Sequence, residues 1–407
     1  MPHVRAAIAC ANPSCMGTCG NWACLYPFRS SGQINHVDGV AHLMRILVAT
    51  DTWRPQVNGV VRSLEALAAH APQLGAKLTL VSPKQFRSIP MPGYREIRLA
   101  FATPRKVARV IREHEPDYIH IATEGPVGLA ARAACLREGR HFTTAYHTRF
   151  PEYASIRLPL PERIVYGLLR RFHRASARVL VATTTLEHDL RARGFRRLSL
   201  WSRGVDTELF RPRPTRRCEF ARPVFLNVGR LAVEKNLDAF LRLPLPGTKV
   251  VVGDGPESDR LKAAYPETHF LGPLQGEALA AAYAAADVFV FPSRTDTFGL
   301  VLLEALASGL PIAAYPVMGP LDVIGDSECG VLDEDLGRAA VAALSIPRQR
   351  CRDHALGFSW TASTGQFLDA LRSGGTAEAH VPVPSRASSL WRWSREVSRG
   401  AAARFRR

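Results

Sequence analysis

From residue 44 onward, short runs of consecutive apolar residues alternate with stretches in which apolar positions recur every three or four residues. An unbroken run of about five apolar residues is the pattern of a strand covered on both faces. The three-to-four spacing is that of a helix with one face buried. Residues 45–49, 77–81, 97–99, 118–122, 142–146 and 178–182 are predicted strands, separated by helices over 60–70, 103–113, 127–138, 161–176 and 185–193. A Pro- and Arg-rich stretch, 210–223, interrupts the pattern, which then restarts. Strands are predicted at 224–228, 249–252, 269–271, 288–291 and 311–314, with helices at 258–264, 276–285 and 298–308. Strands and helices alternating at this spacing build doubly wound parallel sheets. The reading is an α/β chain of two Rossmann-like domains facing across a cleft, 44–210 and 211–375. An N-terminal extension that does not follow the pattern, 1–43, precedes them, and a basic tail, 376–407, follows. In such sheets ligands sit outside the carboxyl ends of the strands, which makes the cleft between the two domains the expected site.

Composition narrows the class. The 407 residues are 46% hydrophobic and 22% charged, which excludes a large disordered protein. The longest apolar stretches, 278–290 and 300–314, are broken by Asp287, Glu304 and Pro311, so no spanning helix is predicted. The net charge of +17 is unevenly placed. Residues 45–210 hold 27 basic and 14 acidic side chains, 211–385 hold 17 and 20, and 386–407 hold seven and one. The excess therefore lies on the first half, including Arg163, Arg170, Arg171, Arg174 and Arg178 around one helix, and on a tail that mixes Trp391 and Trp393 with arginines. That placement suits an anionic membrane surface. Nucleic acid is not an expected partner, since no helix-turn-helix, zinc finger or aromatic-basic strand is present. Cys10, Cys15, Cys19 and Cys24 lack the C-x2-C spacing of common zinc sites, and the other cysteines are scattered, as in a reducing compartment. The first 43 residues also lack the apolar core of a secretory signal.

The segment 291–309 carries the most chemistry. Its helix is apolar on every side, with Glu304 its only charge, and a buried carboxylate must be satisfied by an internal cation or by a ligand's hydroxyls. Asp296 stands just ahead of that helix, as a cap or a ligand contact. The amides of Phe298, Gly299 and Leu300 open its N-terminus, a place for anions or hydroxyls. Arg230 and Lys235 follow a strand directly, where two cations suit a diphosphate. The lone G-x-G at Gly253 and Gly255 lacks the third glycine of a dinucleotide motif and reads as a tight turn. Asn58-Gly59 lets backbone approach a ligand closely. His147 ends a strand and so faces the cleft, either as a hydrogen-bonded core residue or as a catalyst. The run Asp333-Glu334-Asp335 precedes a helix and reads as a cap.

The order and spacing of 227–236, 253–256, 270–272 and 291–311 resemble the retaining glycosyltransferases of family four, with the GT-B fold, over roughly residues 44–370. Within that family the chain is similar to bacterial GDP-mannose-dependent α-mannosyltransferases that modify lipids, and nearly as similar to sulfoquinovosyl- and glucosyl-diacylglycerol synthases. The resemblance implies a catalytic set of His147, Arg230, Lys235 and Asp296. It implies donor contacts from Gly59, Gly272, Leu274, Phe298, Gly299, Leu300 and Glu304. The family's two glutamates seven residues apart fall on Asp296, one methylene shorter, and on Glu304, implied to hold the ribose. Arg230 and Lys235 would hold the diphosphate, His147 would meet the sugar near its 6-hydroxyl, and Gly272 and Leu274 would flank the base. The implied reaction needs no metal and no cofactor. A hexose, mannose by preference, passes from a nucleotide sugar such as GDP-mannose or a UDP-sugar to a lipid or glycolipid acceptor, and the departing phosphate takes the acceptor's proton. A cytoplasmic enzyme peripheral to the inner face of the membrane is expected. A sugar-nucleotide epimerase of the same fold is the competing enzyme reading.

Overall fold

In the computed structural model, residues 43–56, 58–91, 94–147, 149, 161–213 and 219–375 are described. The extension with its four cysteines, Thr148 and the basic tail lie outside them.

Apolar runs become buried strands where the sequence predicts them. β1 (Met44–Ala49) and β2 (Ala76–Val81) pair in parallel, and Leu47, Val48 and Ala49 of β1 are wholly buried, as a strand covered on both faces requires. A hairpin of β3 (Ser88–Met91) and β4 (Tyr94–Ala100) follows, then β5 (Tyr118–Ile121), β6 (Thr143–Tyr146), β7 (Val179–Val181) and β8 (Leu198–Leu200). The first sheet runs β2-β1-β5-β6-β7-β8, all parallel. The second half repeats the plan with β9 (Val224–Val228), β10 (Thr248–Val252), β11 (His269–Phe270), β12 (Val288–Phe291), β13 (Ile312–Ala314) and β14 (Gly330–Leu332), in the order β11-β10-β9-β12-β13-β14. Strand order reverses between β1 and β5 and again between β9 and β12. Those two switch points, at carboxyl ends, are where a doubly wound sheet opens a crevice.

Several predicted elements change. The strand expected at 97–99 is one arm of the β3–β4 hairpin, standing apart from the parallel sheet. β8 and β14 escape the pattern because Ser199 and Gly330 interrupt their three-residue apolar runs, whereas the equally short β7 and β13 are wholly apolar. The helix expected from Phe298 begins at Leu300 (Leu300–Ala307), because Gly299 at φ +84° forms its N-cap.

One correction alters the domain plan. Residues 360–375, counted with the second domain by the sequence pattern, form the helix Trp360–Gly375, which packs on the first half. Its Phe367, Leu368 and Leu371 join Ile46, Val48, Leu64 and Leu67 in one buried cluster. Where the chain crosses back it runs beside the outgoing crossing. Val205 N donates to Phe358 O (3.1 Å), Ser202 N to Gln366 Oε1 (2.9 Å), and Ser363 Oγ to Ser202 O (2.7 Å). The Arg352 guanidinium adds bonds to the carbonyls of Thr207, Phe210 and Ala307. Among the described residues no helix is long and apolar enough to cross a membrane.

Candidate active site

The loop after β9 sets the first group of side chains. Gly229 N donates to Val252 O and Leu231 N to Asp254 O, so the loop lies against the turn after β10. Gly253, at φ +139°, makes this contact possible, since a Cβ there would lie 1.8 Å from Gly229 O. Gly253→Ala is expected to destabilise the fold by at least about 2 kcal/mol and to displace the loop bearing Arg230. A thermal melt with a nucleoside-diphosphate titration would show both, and a variant that melts and binds like the parent would contradict this contact.

Beyond Arg230 the chain makes a 3-10 turn, Val233–Lys235, and Asn236 adopts φ +53°. Asn236 Nδ2 then reaches Pro292 O (3.1 Å) in the loop after β12. This brings Lys235 Nζ onto both carboxylate oxygens of Asp296, at 2.6 and 2.9 Å. Asp296 is therefore a partner of Lys235. The N-cap role open to it in the sequence goes to Gly299, whose carbonyl accepts from Leu302 N (2.9 Å).

Glu304 answers its burial with protein partners from both halves. Its Oε1 accepts from Arg62 Nη1, on the helix Gly59–His70 of the first half, and its Oε2 accepts from Tyr283 OH (2.9 Å). Burial raises the Glu304 carboxyl above its ordinary range, and the Arg62 charge draws it back down. The same burial, with the carboxylate beside it, raises the Tyr283 phenol well above its usual value. Asn58 caps the helix that carries Arg62, its Oδ1 accepting from Val60 N and Val61 N. A Cβ on Gly59, the first residue of that helix, would stand 3.7 Å from Leu300 Cδ1, so two helix N-termini meet across the cleft.

His147 closes the group. Thr297 Oγ1, next to Asp296, donates to the His147 carbonyl (2.8 Å), and Arg203 Nη2 donates to its Nδ1 (3.2 Å). A guanidinium only donates, so Nδ1 accepts and the proton sits on Nε2. Burial first, then the Arg203 charge, holds this imidazole well below its ordinary pKa, hence neutral. Its buried Nε2–H has no acceptor among the described residues. Arg203 is itself buried over the Trp201 ring, and burial lowers it to about 9. At the end of β1, Asp51 accepts from Thr123 Oγ1, Val127 N and Gly128 N, and burial raises it to about 6.

Lys235, Asp296, Glu304, Gly59, Leu300 and His147 thus belong to one connected set. Phe298 is buried in the second-sheet core, where Leu274 also packs. Gly272, at φ +71°, accepts from Gly253 N (2.8 Å) beside the Arg230 loop. The sequence reading missed Arg62 and Arg203. Arg62 follows the Asn58-Gly59 cap by three residues, and a buried Glu304 demands a cation, but a pairing across 242 positions is visible only in the fold. Asp333 and Asp335 act as read: Asp335 caps the helix Leu336–Ala343 through Arg338 N (3.0 Å), and Asp333 binds the Arg338 guanidinium.

Residues 57–209 match the family model Glycosyltransferase Family 4, and residues 222–346 match Glycosyl transferases group 1. The chain is 32% identical over 376 residues to a GDP-mannose-dependent alpha-mannosyltransferase of Mycobacterium tuberculosis, covering 83% of this chain and 99% of that one. It is 33% identical over 261 residues to sulfoquinovosyl transferase SQD2 of Arabidopsis thaliana, covering 60% of this chain and 51% of that one. In structure it is similar to sucrose-phosphate synthase from Thermosynechococcus elongatus, with a TM-score of 0.65 at 20% identity over 81% of this chain and 98% of the other.

Proposed function

The chain belongs to glycosyltransferase family 4, with the GT-B fold, and from that premise we propose that it transfers mannose from GDP-mannose, with retention, to a lipid-linked or glycolipid acceptor. The observation that supports this most is the convergence, at the carboxyl ends of both sheets, of the Lys235–Asp296 pair, buried Glu304 and the Nε2–H of His147, which finds no acceptor among the described residues. A buried donor without an acceptor costs about 1–3 kcal/mol, and a sugar hydroxyl would satisfy it. Arg230 and Lys235 would stabilise charge growing on the leaving diphosphate, with no metal or other cofactor assigned to that task. Asp296 would orient Lys235 and lie near the sugar. Glu304 would take the ribose hydroxyls, exchanging Arg62 for them. The departing phosphate would accept the acceptor's proton on the face it leaves, which preserves the anomeric configuration.

The likeness to the mannosyltransferase over nearly its whole length favours GDP-mannose. The likeness to the sulfoquinovosyl transferase supports a second reading, a UDP-sugar donor and a diacylglycerol acceptor. In either reading the enzyme would work at the inner face of the membrane. The first half favours this: burial and the neighbouring guanidiniums of Arg178, Arg174 and Arg196 press Arg197 below its ordinary pKa, a field that an anionic surface would relieve.

Thermal-shift titration with GDP-mannose, UDP-glucose and UDP-sulfoquinovose separates the donors, because a bound donor stabilises in proportion to the logarithm of its concentration over its Kd. Incubation of the stabilising donor with a bacterial lipid extract, followed by NMR of the product's anomeric centre, tests the chemistry. An α-mannolipid is expected. A β-linked product would refute retention, and an epimerised sugar nucleotide without acceptor dependence would refute the transferase.

A further inference from the structure

Arg203 is a buried cation with no acidic side chain among the described residues to answer it. It stands three residues past β8, where the chain begins to cross to the second half, and burial alone shifts its pKa. A charge held in the interior without a counter-charge is costly, which marks its surroundings as a place to look for function. The guanidinium is fixed from within the crossing. Nη1 donates to Trp201 O (2.5 Å) and Ser202 O (3.1 Å), and Cζ lies 4.3 Å from the centre of the Trp201 ring. Ser202 in turn bonds the returning chain at Gln366 and Ser363. Nη2 is left for His147 Nδ1 (3.2 Å), and the His147 ring meets the same Trp201 edge-on at 5.6 Å. The second half holds the backbone of that histidine, Thr297 Oγ1 donating to its carbonyl.

We propose that Arg203 is a positioning residue for the donor: it locks His147 in the Nε2–H tautomer, so that the imidazole offers the sugar a hydrogen-bond donor and never an acceptor. A free neutral imidazole exchanges its proton between two nitrogens and can turn either role to a ligand. A guanidinium has no lone pair to offer, so a ring bonded to it through Nδ1 has one arrangement only, set before any substrate arrives. The neighbouring charge also opposes a second proton on the ring, in addition to burial. Two unfavourable features thus flank one imidazole. On one side is a buried cation without a carboxylate, and on the other a buried N–H with no acceptor among the described residues. A sugar oxygen would relieve the second. That Nε2–H meets the sugar rests on the transferase reading; the choice of tautomer rests on the contact with Arg203 alone.

The full chain is labelled with nitrogen-15 histidine, and the His147 ring is assigned by the signal missing from His147→Gln. Long-range nitrogen–proton correlation without ligand is expected to show a single Nε2–H tautomer in the parent. Arg203→Gln, whose amide can donate or accept, is expected to give a mixture with a clear Nδ1–H share. Arg203→Lys, which only donates, is expected to keep the parent's tautomer. If a thermal melt shows Arg203→Gln unfolded, Arg203→Met takes its place. Donor Kd is then measured by calorimetry for GDP-mannose and its 2-, 4- and 6-deoxy forms, or for UDP-glucose and its deoxy forms, whichever the parent binds. One deoxy form is expected to bind the parent about tenfold more weakly, the loss that follows when a buried N–H is left unpaired. In Arg203→Gln that penalty is expected to shrink to about threefold or less, and in Arg203→Lys to stay. A merely structural role would weaken all donors alike and leave the tautomer unchanged. An Nδ1–H or doubly protonated ring in the parent overturns the proposal, as does a pure Nε2–H ring in Arg203→Gln or a deoxy penalty equal in parent and variant. Failure of both nucleotide sugars to bind the parent overturns the transferase reading instead, and the imidazole spectra still decide the tautomer.

Discussion

Lys235→Ala is expected to lower the turnover of sugar transfer by about 10²–10³, roughly 3–4 kcal/mol of transition-state stabilisation, the range found when one preorganised donor to a developing oxyanion is removed. The side chain does two things at once. It would face the leaving diphosphate, and it neutralises Asp296 through both carboxylate oxygens. Removing it leaves a carboxylate turned toward a diphosphate, so repulsion adds to the lost attraction. Asp296→Asn in the same background removes that repulsion and is expected to recover part of the loss. Turnover measured at saturating donor, with donor Kd measured separately, distinguishes the chemical step from binding. A single variant within threefold of the parent would remove Lys235 from the reaction.

Arg62→Ala is expected to destabilise the folded chain by about 3 kcal/mol, increasingly so as pH rises. Taking one partner from a buried pair leaves the other charge uncompensated, at about 3–5 kcal/mol, and the lower end applies because Arg62 is 31% exposed. Burial already raises the Glu304 carboxyl, so over some range above the ordinary glutamate value the folded chain holds a proton that the unfolded chain has released. In that range stability falls with rising pH. Without the Arg62 charge the folded value rises further and the range extends upward. Denaturant titrations at pH 5 and pH 8 should therefore show a larger deficit at pH 8. Arg62→Ala combined with Glu304→Gln should lose the added pH dependence while keeping the Tyr283 bond. Equal deficits at both pH values would separate Arg62 from the carboxylate.

The sheets were legible in the sequence because buried parallel strands are written as apolar runs, and ten of them stand close to where the pattern puts them. What failed was short or mixed. β8 and β14 are three residues each with Ser199 and Gly330 among them, so no apolar run registers, whereas the equally short β7 and β13 are apolar throughout. The site was legible to the extent that it is local. Arg230 and Lys235 follow a strand and Asp296 precedes a helix, positions that sequence order supplies, whereas a shared role for them with Glu304 is implied only by the resemblance to family four. Arg62 and Arg203 were not legible because their roles come from contacts between elements far apart in the chain. On a helix face or after a strand, each looks like any other surface arginine. Whether Glu304 took an internal cation or only a ligand was left open by its sequence position. Three-dimensional packing decides it, supplying Arg62 from the other half.

The return of the helix Trp360–Gly375 to the first sheet changes how this protein can be recombined. Its two halves are not beads joined by one thread. The polypeptide leaves the first sheet, builds the second and comes home, with both crossings hydrogen-bonded side by side. A hybrid that borrows another protein's second half must be cut twice, near 211 and near 357, and must keep the native last helix. Joined at one point only, it would leave Ile46, Val48, Leu64 and Leu67 facing a foreign helix. The second half is thus an insertion within the first, exchangeable as a cassette and never as a terminus.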